Sequence, residues 1–102
     1  MTDDWVRESI IACCAALPTF SEDSTIRKLL KFDRGRKEHG EDLSRLNVPA
    51  EALAECDDLF NYGVLLHLQG RLSYVCLLSL LTKVGEVEKL LEGCVKDAPA
   101  EA

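Results

Sequence analysis

Seven residues carry a thiol or an imidazole, which can bind a metal or act as a nucleophile or base near neutral pH: Cys13, Cys14, Cys56, Cys76, Cys94, His39 and His67. Zinc sites collect their donors at short, fixed spacings, and here there is no C-x-x-C and no paired histidine. Most of the cysteines fall on apolar faces of helical period, where a thiol packs as a small hydrophobe. Cys13 and Cys14 are adjacent and open to oxidants, but no strong pKa-lowering neighbour accompanies them. Five cysteines, irregularly spaced, make a poor disulfide framework and fit a reducing compartment. Glu51, Glu55 and Asp58 share one helical face, with Asp57 alongside, which is the pattern of a solvated surface. No phosphate-cradling glycine loop, nucleophile elbow or H-E-x-x-H occurs. His67 lies among leucines and reads as a half-buried structural histidine. The chain is therefore not expected to be an enzyme, and no cofactor, metal or catalytic set is assigned.

The remaining chemistry is electrostatic. Six of the twelve cations, Arg27, Lys28, Lys31, Arg34, Arg36 and Lys37, fall within eleven residues that contain a single acid, Asp33. Elsewhere the chain is acidic. Residues 38–70 hold seven acids against Arg45, and the net charge is −6. The basic segment is the candidate surface for an acidic partner. The same cations also complement the negative end of a helix dipole. Bulk acidity disfavours nucleic acid, no aromatic residue but Phe32 interleaves the cations, and no nucleic-acid motif surrounds them.

These residues must be positioned by helices. The 102 residues suffice for one domain, with 47% hydrophobic and 29% charged residues and only three prolines and six glycines. Leucine and alanine outweigh β-branched residues, so strands are not expected. A first helix is expected over 4–17, capped by Thr2 or Asp3 and closed by Pro18, with Val6, Ile10, Cys13, Cys14 and Leu17 on one face. Trp5 sits beside that face and is assigned to the core. A second helix starts at Ser21, carries Ile26, Leu29 and Leu30, and stops at Gly35. Residues 36–47 read as an exposed charged connection. Pro49 opens a third helix that runs to Leu68. Gln69-Gly70 breaks the chain, and a fourth helix runs from Arg71 to Cys94. It is apolar nearly all round in its first half and continuous unless Gly85 bends or splits it. Residues 96–102 form a small polar tail.

The run Leu59-Phe60-Asn61-Tyr62-Gly63-Val64-Leu65-Leu66-His67-Leu68-Gln69-Gly70-Arg71-Leu72 resembles the first helix and turn of a tetratricopeptide repeat. Gly63 matches the small mid-helix residue that lets a second helix approach, and Gly70 matches the turn glycine. The resemblance covers residues 57–75, under a fifth of the chain. It departs from the family at Val75, where a small residue belongs, and it has no second copy, whereas solenoids need several. It implies a close antiparallel hairpin at Gly63, facing Val75 or Cys76, and no peptide-binding groove.

The sequence thus predicts an all-α protein, 1–102, forming a compact bundle of four to five helices with antiparallel neighbours. No run approaches the roughly 20 apolar residues of a membrane span, and Asp3 and Asp4 stand where a signal peptide would be basic. A cytoplasmic location follows as the expectation. The expected function is binding another protein, as an adaptor, inhibitor or immunity-type partner. The alternatives are a nucleic-acid-associated regulator that uses 27–37, and a small helical enzyme or metal carrier. Self-association as a homodimer is expected along the fourth helix through Leu77, Leu81, Val84, Val87 and Leu91, because its leucines exceed what one small domain covers.

Overall fold

A computed structural model describes residues 1–40, 43 and 47–96. It is all-α, and no strand occurs among the described residues. The four helices are α1 (Asp3–Ala16), α2 (Glu22–His39), α3 (Val48–Leu68) and α4 (Tyr74–Lys96). They form two compact units, Met1–Leu46 and Asn47–Ala102, in each of which two sequence-adjacent helices pair as a hairpin.

Local chemistry sets most of the helix ends. Thr2 accepts the Trp5 N–H at 3.1 Å, and Ser21 accepts the Ser24 N–H at the same distance. Asp3, Asp4, Glu22 and Asp23 occupy the first turns, where backbone N–H groups concentrate positive charge. Asn47 caps α3 with Pro49 just inside it, at a position that donates no helical hydrogen bond. At the other end of α3, the Arg71 N–H reaches Leu66 O and the Gly70 N–H reaches His67 O, each at 2.9 Å. This Schellman closure needs a left-handed residue, and Gly70 supplies it with φ +75°.

Two boundaries differ from the sequence expectation by more than two residues. Helix α2 does not stop at Gly35 but continues to His39 and ends at Gly40, with φ +59° and its N–H on Arg36 O. A glycine inside a helix costs only about 1 kcal/mol, and the good helix formers Arg36, Lys37 and Glu38 carry propagation past it. Residues 36–39 of the expected connection are therefore helical, while 41, 42 and 44–46 lie outside the described residues, as do 97–102 of the tail. Helix α4 begins at Tyr74 instead of Arg71, because Ser73 accepts the Cys76 N–H at 3.2 Å and caps it there. It then runs unbroken through Gly85.

The α3–α4 hairpin has a clear seam. Cys56 and Gly63 on α3 are buried, seven residues apart, and so are Leu77 and Val84 on α4, also seven apart. A seven-residue step nearly returns a helix to the same face, so two small residues meet two branched ones along one line. A Cβ on Gly63 would stand 2.8 Å from Leu80 Cδ2, 3.5 Å from Leu77 Cδ1 and 3.7 Å from Leu81 Cδ2. Gly63 thus abuts α4 as expected, but one turn beyond Val75 and Cys76, both of which are exposed. The five residues 69–73 leave the helix, and this moves the contact along α4.

The α1–α2 hairpin packs more lightly. Cys14 is its one buried apolar side chain among the described residues, and Val6, Ile10, Leu29 and Phe32 are half-buried. Trp5, assigned to the core from sequence, is 57% exposed.

Gly63→Leu is expected to cost about 1–3 kcal/mol through overpacking against Leu77 and Leu80. Gly85→Ala should gain about 0.5–1 kcal/mol, since nothing stands within 4 Å of its Cβ position. Urea titration of both variants checks the pair, and a shared sign would contradict the hairpin register.

Candidate functional site

The basic segment lies along α2, and the fold divides its six cations. Arg36 donates from Nε to Asp3 Oδ1 at 3.1 Å, tying α2 to the start of α1. Arg7 reciprocates from α1 to Asp33 of α2. Lys28 is half-buried, donates to Ser24 Oγ and the Ser24 carbonyl, and sits 4.5 Å above the Phe20 ring. Arg27, Lys31, Arg34 and Lys37 are exposed and make no ion pair among the described residues. Arg27, Lys31 and Arg34 are spaced i, i+4, i+7, so they form one ridge. The expected partner-binding set is therefore three ridge cations with Lys37 to one side, Arg36 tied to α1, and Lys28 partly engaged by Ser24 and Phe20.

Beside Lys28 runs an apolar groove of about 350 Å³ between α1 and α2. Val6, Ile10, Cys13 and Leu17 line it from the α1 side, Phe20 from the connection and Lys28 from α2. A second hollow of about 380 Å³ includes Ile11, Ile26, Leu29 and Glu22. The hairpin thus offers one groove edged by a cation and one edged by an acid.

In the α3–α4 hairpin the expected self-association residues separate in the same way. Leu77 and Val84 are buried in the seam against α3, while Leu81 and Leu91 are half-buried. Of the five, only Val87 is exposed. Apolar residues outside that expected set are also exposed: Leu90 at 72% on α4, and Leu59, Tyr62 and Leu66 at i, i+3, i+7 on α3. Their helical spacing was visible, but the direction of the seam was not.

The chemistry-bearing residues take structural places. His67 Nδ1 lies 2.8 Å from the Leu72 carbonyl. A carbonyl only accepts, so that nitrogen carries the proton and clasps the α3–α4 turn. The His67 ring also packs against Tyr74, with centroids 5.7 Å apart. Burial raises the Cys56 thiol pKa, and the carboxylates of Glu88 and Asp57 push it further the same way. Among the described residues no group of three or more His, Cys, Asp or Glu is arranged to hold a metal, and no helix is long and apolar enough to cross a membrane. No protein-family model, curated protein or solved structure matches the chain.

Two measurements follow. Replacing Arg27, Lys31 and Arg34 together by Gln should leave the unfolding free energy within about 0.5 kcal/mol, while Arg36→Gln should cost up to about 1 kcal/mol. A thiol-reactive dye should label Cys13, Cys76 and Cys94 quickly, and label Cys14 and Cys56 only as the hairpins open. Fast labelling of all five at neutral pH would contradict the packing.

Proposed function

We propose that the protein is a protein-binding module, an adaptor, inhibitor or immunity-type partner of the cytoplasm, working by contact and not by catalysis. The supporting observation is the imbalance between buried and exposed apolar surface. Four hydrophobic side chains are buried among the described residues, while Trp5, Leu17, Ile26, Leu30, Leu65 and Leu90 are each at least 47% exposed. Apolar surface on that scale is usually covered by another protein. The exposed cations Arg27, Lys31 and Arg34 of α2 add a charged edge that selects an acidic partner and speeds the encounter.

The same imbalance supports self-association through α3–α4 as a homodimer. With Leu77 and Val84 spent on the seam, the contact falls to the outer residues Leu59, Tyr62 and Leu66 of α3 and Val87 and Leu90 of α4. Two such hairpins packed face to face would give a four-helix arrangement around a two-fold axis.

Affinity capture from the cells that make the chain tests the module reading. Wild type should recover a defined protein partner that the Arg27→Glu, Lys31→Glu, Arg34→Glu triple variant loses. Recovery of nucleic acid in its place would favour the regulator alternative. Sedimentation equilibrium at micromolar concentration tests the dimer. Twice the 11.3 kDa chain mass is expected for wild type, and the chain mass for Leu90→Glu with its helicity retained. Leu77→Glu should unfold the hairpin itself, whereas a wild-type monomer would end the dimer proposal.

A further inference from the structure

We infer that the α1–α2 groove is a docking site for an acidic amphipathic helix of a partner protein. This rests on the protein-binding reading above and names the chemistry of the partner. Val6, Ile10, Cys13 and Leu17 are spaced i, i+4, i+7, i+11, so the apolar floor is a strip about 16 Å long, parallel to α1. A helix buries an apolar strip of that period and length, and a third helix laid there would turn a lightly packed pair into a three-helix unit. The need is physical, since Cys14 is the one buried apolar side chain of this hairpin among the described residues.

Charge selects which helix. Lys28 lines the groove, and its ammonium already donates to Ser24, which leaves hydrogen-bonding capacity for an incoming carboxylate. No carboxylate among the described residues pairs with it. Lys31 follows at i+3 and Arg27 precedes it, both exposed. A helix with leucines toward α1 and glutamates toward α2 therefore meets both requirements. An anionic lipid surface would meet the charge requirement but offers no leucine ridge of helical period to lay along the strip on α1.

The test titrates the full chain, labelled with nitrogen-15, against two synthetic peptides. One carries leucines at i, i+4, i+7, i+11 with flanking glutamates, and the other has lysines in place of the glutamates. The glutamate peptide should shift the amides of Ile10, Cys13, Phe20 and Lys28, bind about tenfold more tightly than its twin, and weaken as salt rises. Lys31→Glu, at an exposed position that folding does not depend on, should narrow or reverse that preference. Equal binding of the two peptides, or shifts confined to α3–α4, overturns the proposal. So does binding of phosphatidylglycerol vesicles through the same residues, which identifies a lipid surface. Concentration-dependent shifts at these residues without peptide would identify a second copy as the occupant and also overturn it. If the peptides fail while affinity capture still yields a partner, the module reading stands and the acidic-helix assignment falls. If a peptide binds while capture yields nothing, the groove chemistry stands and the wider reading loses its support.

Discussion

The approach of α4 to Gly63 is the contact on which the C-terminal hairpin depends. Without a Cβ at that position, Leu77, Leu80 and Leu81 settle directly against the α3 backbone. Cys56, one heptad earlier, is the next small residue along the line, so the helices stay close instead of splaying. Small on one side and branched on the other is a complementary pairing, and it fixes which face of α4 turns inward. Once that face is set, the accessibility of Leu90 and Val87 follows from helical geometry alone.

The N-terminal hairpin is held by different means. The ion pairs Arg7–Asp33 and Arg36–Asp3 bridge the helices at exposed or half-buried positions where each contributes little net free energy. They fix register more than they add stability. Its groove is lined by Val6, Cys13 and Leu17 from the α1 side and, from α2, by Lys28. That lysine lays its ammonium over Phe20.

Much of this fold was readable in the amino-acid sequence, and the reason is local chemistry. Thr2, Ser21, Pro49 and Gly70 act on backbone groups within a few residues of themselves, so the caps and the turn follow from neighbours alone. Gly35 and Gly40 show where that reasoning stops. Both follow basic residues, and only the left-handed conformation at Gly40 distinguishes the true end of α2. The self-association set shows a second gap. A helix apolar around most of its girth has no direction in its sequence, and the seam was set by small residues on a different helix. The division of the basic segment was hidden for a similar reason. Asp3 and Asp33 decide which arginines are occupied, and neither lies next to its partner in the chain.

The Schellman turn at Gly70 also bears on how quickly the chain can organise. Each hairpin closes across a connection of five residues, 17–21 or 69–73, so loop closure demands little chain entropy. Helical pairs with such local contacts form on microsecond to millisecond scales. The α3–α4 pair has a further advantage. The His67 clasp and the left-handed glycine both act within residues 67–72, so they can orient the two helices while ordering little chain. The turn is then a candidate folding nucleus. As the ribosome releases residues 47–96 in order, α3 can wait as a nascent helix until α4 emerges, and the seam can zip outward from Gly63.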